Sequence, residues 1–289
     1  MPNAVEPPSE SPATLAAALA LLADADGAPW QPIAGGTDLM VQLTGELGEP
    51  PERLIDIWSL DELRGIAVAG EFLDLGALTT YTELRRSPIV AELVPALVDA
   101  AATIGAAQIQ NRGTIGGNVV NGSPAGDTLP VLLALDATMI LESASGRREV
   151  AASEFWPSYR TTARRDDELL IRIRIPVVAN RTVRFRKIGT RRAQAISKVV
   201  MALAWRSDNG GAWSDVRLAL GSVAATTIRA SATEATLEEQ QPTRDVADAA
   251  AAALTAELNP IDDVRSTADY RRAVAGRVLH RLIRDEGGW

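Results

Sequence analysis

Two glycine pairs about eighty residues apart constrain this chain more than any other feature: Ile33-Ala34-Gly35-Gly36-Thr37-Asp38-Leu39 and Thr114-Ile115-Gly116-Gly117-Asn118, the second followed by Asn121-Gly122-Ser123-Pro124. Residues without a Cβ let the main chain turn sharply and bring its N–H groups against phosphate. Two such turns suggest one extended, phosphate-bearing ligand held at two points. The first turn lacks the Lys-Ser/Thr ending of a Walker loop and the G-x-G-x-x-G spacing of a dinucleotide turn, so neither of those nucleotide folds is supported. Alone, a Gly-Gly before a helix is more often just a tight turn. What changes the reading is the ordered second element, Thr114-x-Gly116-Gly117-Asn118 followed by Ser123-Pro124-x-x-Asp127-x-x-Pro130.

With 289 residues and 46% hydrophobic composition the chain has apolar surface for a sizeable core, and its length suits two domains better than one. No apolar run is long enough to cross a bilayer, and Met1 to Ser11 has neither a basic start nor a hydrophobic segment, so a cytoplasmic location is expected. There is no cysteine, and the one histidine is His280. A disulfide framework, a thiolate nucleophile and a Cys/His metal or cluster site are therefore excluded, and any redox metal must sit elsewhere. Residues 147–217 hold sixteen Arg or Lys against seven Asp or Glu, a local +9 in a chain that is −8 overall. A basic segment inside an acidic protein argues against general DNA binding and fits an anionic cofactor or a partner surface. For most of these arginines, as in Leu170-Ile171-Arg172-Ile173-Arg174-Ile175, the plainer expectation is alternation along solvent-facing strand edges.

The pattern predicts a helix opened by Ser11-Pro12 and carried by Ala13 to Ala23, and a strand from Trp30 to Ala34 into the first glycine turn. Thr37 to Leu43 and Pro95 to Thr103 read as helices, and helical text follows the capped turn at Thr79-Thr80. Arg53 to Ile57 and Leu73 to Gly76 alternate like strands. The second glycine turn falls in a loop-like stretch between Gln108 and Pro124, a length that is usually functional. Asp127 to Ala134 reads as a helix, and strands at Thr138–Leu141 and Leu169–Ile175 close this part before Pro176. Beyond it, Val183 to Ile188, Ser197 to Trp205 and Val216 to Val223 read as three strands, with helices at Val246–Leu258 and Asp269–Arg284. The division expected is 1–176 and 177–289.

At the two glycine elements the sequence resembles the flavin-binding medium subunits of the molybdenum hydroxylases, the xanthine dehydrogenase and carbon monoxide dehydrogenase type, over nearly its whole length. The resemblance implies an α+β fold: a two-part FAD-binding domain of the vanillyl-alcohol-oxidase (PCMH) type, then a small three-stranded antiparallel sheet with helices. It implies that the backbone of Pro32, Ile33, Ala34, Gly35, Gly36, Thr37, Asp38 and Leu39 holds the FAD pyrophosphate. Ile104, Gly105, Thr114, Gly117 and Asn118 would form the second contact, Asp127 would accept from sugar hydroxyls, and Leu170 and Lys187 would lie beside the cofactor. Without the resemblance, Leu170 reads as core, Lys187 as a surface lysine and Asp127 as a helix cap.

By the same resemblance, Arg191 to Lys198 forms a loop near the reactive face of the flavin, where it could attract a nicotinamide nucleotide. The partners implied are a small subunit with two [2Fe–2S] clusters and a large molybdenum-cofactor subunit, in a dimer of heterotrimers. This chain would be the terminal electron station, with an external acceptor such as NAD. Covalent flavin attachment is not expected, because Thr37 and Asp38 follow the first glycine pair, with neither His nor Cys. Carbon monoxide dehydrogenase subunits commonly carry His-Ser there, so the resemblance leans toward a nitrogen heterocycle or aldehyde as the complex's substrate. A self-sufficient flavoprotein and a non-catalytic assembly subunit stand as the alternatives.

Overall fold

A computed structural model describes residues 6–24, 26–43, 50–191, 194–207 and 210–289. The chain opens with β1 (Ser9–Glu10) and α1 (Leu15–Leu22). The helix starts later than Ser11-Pro12: Thr14 is the cap, its hydroxyl accepting from Ala17 N at 3.2 Å, while the Glu62 carboxylate accepts from Leu15 N at 3.1 Å. A helix begins where its orphan N–H groups meet acceptors, and a carboxylate from 47 residues away is not visible in local sequence. Then come β2 (Trp30–Ile33), α2 (Leu39–Leu43) and β3 (Arg53–Asp56), which with β1 make a parallel sheet of order β1-β3-β2.

A second sheet collects β4 (Ile66–Ala69) and β5 (Phe72–Gly76), then β6 (Thr138–Ser143), β7 (Gly146–Ala151) and β8 (Leu169–Pro176), in the order β4-β5-β8-β6-β7. Between β5 and β6 the chain runs through α3 (Tyr81–Arg86), α4 (Pro88–Leu93), α5 (Pro95–Thr103), α6 (Ala107–Arg112), α7 (Ile115–Asn121) and α8 (Leu129–Ala134), and α9 (Ala152–Phe155) follows β7. The stretch from Gln108 to Pro124 is therefore not irregular. It is largely two short helices, and the second glycine pair lies in the first turn of α7. Six- and seven-residue helices have little intrinsic stability. Here tertiary acceptors fix them: Ile115 N donates to Thr79 O and Gly116 N to Ala77 O, each at 2.9 Å.

β8 is the middle strand of the five, so Arg172 and Arg174 do not lie on a sheet edge. Both reach Asp74 of β5, with Arg174 Nε donating to Oδ1 at 2.9 Å and Arg172 Nη1 to Oδ2 at 3.2 Å. The alternation puts Leu170, Ile173 and Ile175 on the face that packs with the helices. Leu169 and Ile171 turn the other way, onto the apolar side of α1 and β3. A register shift in the β6–β8 pairing between Ile140 and Leu141 accompanies this change of face.

After Pro176 come β9 (Arg181–Ile188), β10 (Val199–Ser207) and β11 (Trp213–Gly221), antiparallel neighbours as the alternation indicates. A two-residue edge strand β12 (Ile228–Arg229) adds a fourth, too short to leave a periodic signal. α10 (Ser231–Leu237), α11 (Arg244–Glu257) and α12 (Ala268–Gly287) cover one face of this sheet, a core of residues such as Met201, Leu203, Leu218, Leu254 and Leu279. The opposite face, through Val183, Phe185, Val200 and Ala202, joins the core that holds α5 and α8. Burial on both faces explains why β10 reads as a nearly continuous apolar run.

Candidate functional site

A cleft of about 560 Å³ opens where the parallel sheet meets the helical layer. All of Pro32 through Leu39 lines it, and so do Ile104, Thr114, Gly117, Asn118 and Leu170. Gly105, Asp127 and Lys187 are not in its lining. The two glycine elements thus come together in one concave site. At Gly35 the approach is closest, for a Cβ there would overlap the carbonyl oxygen of Arg112, at the end of α6. Gly36 has φ +73°, a left-handed turn that favours glycine, and its carbonyl accepts from Met40 N at 2.9 Å as α2 begins.

The glycine pairs differ in what they offer a ligand. In the first loop the N–H groups of Gly35, Gly36, Thr37 and Asp38 donate to no acceptor among the described residues. In the second, Ile115 and Gly116 N–H are taken by Thr79 and Ala77, Gly117 N donates to the capping Thr114 Oγ1 at 3.1 Å, and Asn118 N donates to Thr114 O at 3.1 Å. The second pair is there for packing, since a Cβ at Gly116 would lie 2.6 Å from Ala77 O. What this element presents to the cleft is a side chain. Asn118 Oδ1 accepts from Thr128 Oγ1 at 2.5 Å, which leaves its amide NH2 to donate.

Asp127 and Lys187 form an ion pair at 2.5 Å, with side chains 7% and 6% exposed. Lys187 is therefore no surface residue. Asp127 does not cap α8 either, where Thr128 holds the cap position. Thr103 Oγ1 donates to Asp127 Oδ2 at 3.3 Å, which sets the pair beside the residue preceding Ile104, at that end of the cleft. Burial pushes the Asp127 carboxyl up, and the Lys187 charge opposes it. Its Oδ1 is buried with no hydrogen-bond partner among the described residues, an atom that ordinarily has one. Gly105 has φ +55° and turns the chain between Ile104 and α6, where a Cβ would press on Ile109.

The motifs do not mark three further cleft residues: Tyr81, Arg160 and Arg164. Arg160 Nη1 donates to Asn121 Oδ1 at 2.9 Å, and Arg164 Nη1 to the carbonyls of Arg165 and Glu168 at 2.8 and 2.9 Å. Neither makes an ion pair with a described carboxylate. Burial works against the charge on Arg164, and Asp166, Glu168 and Asp167 support it. Other cations of the basic segment are neutralised: Arg148 by Glu168, Arg174 by Asp74, Arg181 by Asp215 and Arg184 by Glu286. The excess of basic residues between 147 and 217 is the only sequence signal for Arg160 and Arg164, and what separates them from the rest is their place in the cleft lining together with the lack of an ion pair among the described residues. Arg191 is exposed and donates to Gln194 O at 2.6 Å, outside the cleft lining, while Arg192 and Ala193 lie outside the described residues. His280 is half-buried, its Nε2 3.1 Å from Asp248 Oδ1 and its ring edge-on to Trp289. Among the described residues there is no group of His, Cys, Asp or Glu that could hold a metal ion.

Residues 6–178 match the family described as the FAD binding domain in molybdopterin dehydrogenase, and residues 184–285 match the carbon monoxide dehydrogenase flavoprotein C-terminal domain. The chain belongs to this family. It is 34% identical to the carbon monoxide dehydrogenase medium chain of Hydrogenophaga pseudoflava, over 94% of each chain. It is 32% identical to the xanthine dehydrogenase FAD-binding subunit of Escherichia coli O157:H7, over 96% of each. Among solved structures, carbon monoxide dehydrogenase from H. pseudoflava superposes with a TM-score of 0.90 at 34% identity, covering 96% of both chains. Quinoline 2-oxidoreductase from Pseudomonas putida 86 gives 0.91 at 28% identity, covering 98% of both.

The molecule is the FAD-binding component of a molybdenum-hydroxylase-type oxidoreductase, and its cleft fits that cofactor. Unclaimed N–H groups on the first loop, the Asn118 amide and two cations without carboxylate partners suit a diphosphate. The orphaned Asp127 Oδ1 is an acceptor suited to a sugar hydroxyl. Among the described residues no helix is long and apolar enough to cross a membrane.

Proposed function

We propose that this subunit, divided after Pro176 into its FAD-binding and C-terminal domains, is the terminal electron station of a three-subunit complex. It would take electrons from the [2Fe–2S] clusters of a small partner and deliver them to an external acceptor such as NAD, while a large molybdenum-cofactor subunit, in a dimer of such heterotrimers, oxidises the substrate. The observation that carries this reading is the meeting of both glycine elements in a single cleft whose first loop keeps its N–H donors unclaimed. FAD, when bound, supplies all the redox chemistry, gathering single electrons and releasing them in pairs.

The chain's own residues bind and orient. Pro32 to Leu39 would wrap the pyrophosphate with main-chain donors, and Asn118 would add a side-chain donor from across the cleft. Arg160 and Arg164 would offset phosphate charge from the β7–β8 connection. Leu170, 4% exposed and on the central strand, gives the cleft an apolar wall that excludes water. Asp127 would accept from a sugar hydroxyl through Oδ1 while Lys187 holds its other oxygen. Gly105 would shape the turn that brings Ile104 to the cofactor. With no cysteine in the chain, cluster ligands must come from a partner.

The relatives include enzymes named for carbon monoxide, glyceraldehyde, nicotinate and xanthine at 32–36% identity, so substrate identity rests with the large subunit rather than with this fold. The test uses the subunit loaded with FAD. Mixed with its reduced iron–sulfur partner, it should bleach in the visible flavin band, and the assembled complex should then reduce NAD. A flavin that stays oxidised beside the reduced partner would refute the proposal. Turnover of an organic donor by this chain alone would favour a lone flavoenzyme.

A further inference from the structure

One cleft residue belongs to neither glycine element. Tyr81 is the first residue of α3, fixed there by a capping box in which Thr80 Oγ1 accepts from Glu83 N at 3.2 Å and the Glu83 carboxylate accepts from Thr80 N at 2.7 Å. Its backbone N donates to Gly113 O at 3.2 Å. Its ring lies so close under the chain that a Cβ at Gly113 would come within 2.8 Å of Cε2. The side chain is thus locked, 3% exposed, with its ring in the main core and its outer part in the cleft lining.

The hydroxyl of Tyr81 makes no hydrogen bond with any described residue. A tyrosine this buried normally finds a partner for its O–H, and this oxygen is not among the unpartnered atoms sealed from solvent, so its partner can come only from the cleft. Here the free position opens into the cleft. Asp38 and Asp127 both lie near enough to act on the phenol, and with burial they push its ionisation well above the usual range, so the oxygen keeps its proton and stays a donor. The negative charges of Asp38 and Asp127 both reach this hydroxyl, which makes a phosphate a less favourable neighbour than a neutral oxygen.

We propose that Tyr81 is a further cofactor-binding residue, which donates its hydroxyl to an uncharged oxygen of FAD on the ribityl or ribose chain. The inference rests on the FAD reading of the cleft. Its test is Tyr81→Phe, which keeps the ring, the packing under Gly113 and the helix cap.

FAD-free protein is titrated with FAD, riboflavin and ADP in parallel, each followed by isothermal titration calorimetry. Loss of one neutral hydrogen bond should weaken FAD roughly three- to tenfold, with the melting temperature of the FAD-free protein unchanged. A matching loss with riboflavin assigns the ribityl chain, and with ADP the ribose. An unchanged Kd for FAD in Tyr81→Phe overturns the proposal, whereas failure of the unsubstituted protein to bind FAD would overturn the reading beneath it.

Discussion

The buried pair of Lys187 and Asp127 gives the sharpest quantitative expectation, because plain sequence reading and structure disagree about it by several kcal/mol. As a surface lysine, Lys187 could be replaced by methionine at a cost within about 0.5 kcal/mol. In the structure its ammonium is 6% exposed and faces a carboxylate at 2.5 Å whose other support comes from neutral hydroxyls such as Thr103, with no second cation paired to it among the described residues. Lys187→Met leaves that carboxylate buried and uncompensated, which costs about 3–5 kcal/mol. At about 2–4 °C per kcal/mol for a chain of this size, the FAD-free protein should melt roughly 6–20 °C lower. Asp127→Asn in the same background removes the stranded charge and should restore most of the loss, so the double-mutant cycle reports a coupling of several kcal/mol.

The pH dependence fixes the sign. Burial already raises the Asp127 carboxyl, and deleting Lys187 removes the charge that opposes this. A carboxyl whose folded value lies above its unfolded value binds its proton more tightly in the folded state. The deficit of Lys187→Met relative to the unsubstituted protein should therefore be small at about pH 5 and grow toward about pH 8. Denaturant unfolding of the FAD-free proteins at both pH values is the assay. A deficit below about 0.5 kcal/mol, or one equal at the two pH values, refutes the reasoning.

Gly35→Ala places a methyl on the Arg112 carbonyl and forces the two loops apart. An overpacking cost of about 1–3 kcal/mol predicts FAD bound roughly ten- to hundredfold more weakly by equilibrium dialysis, and unaltered affinity would show that the loops need not touch. Burial opposes ionisation of Asp74, but the hydrogen bonds and charges of Arg174 and Arg172 outweigh it and hold the carboxyl below its usual range. Its stabilisation is complete above the unfolded pKa of about 4 and is lost as pH falls through the lower folded value. Asp74→Asn should thus cost about 1–2 kcal/mol at neutral pH and flatten the acid limb of the stability curve below about pH 4, and a parallel curve would rule out this source of acid sensitivity.

Much of the cleft is legible in the sequence because its first half is local. Pro32 to Leu39 line the cleft as a block, since a strand, two glycines and the start of a helix define a turn within eight residues. The second half was harder to read. Its glycines suggested a loop of donors, yet Gly116 and Gly117 give their N–H groups to Ala77 and Thr114, and the segment is helical because carbonyls from residues 77 and 79 meet it. Leu170 is a core leucine that also walls the cleft. Tyr81 carries no local mark, and Arg160 and Arg164 carry only that of the basic segment.

Residue types and spacing alone rule out a metal cluster on Cys or His ligands, single out the two glycine elements that line one cleft, and place a sheet with helices after Pro176. These properties depend on residue type and on spacing along the chain, both of which survive without tertiary contacts. Tertiary contacts settle which of the sixteen cations between 147 and 217 are neutralised and which line the cleft, that Lys187 is buried against Asp127, and that the N–H groups of the second glycine pair are engaged within the chain while the Asn118 amide is left to donate. Each of those outcomes depends on which groups meet across sheets and helices dozens of residues apart. Charge pairing and hydrogen-bond satisfaction are properties of that meeting, not of any segment read alone.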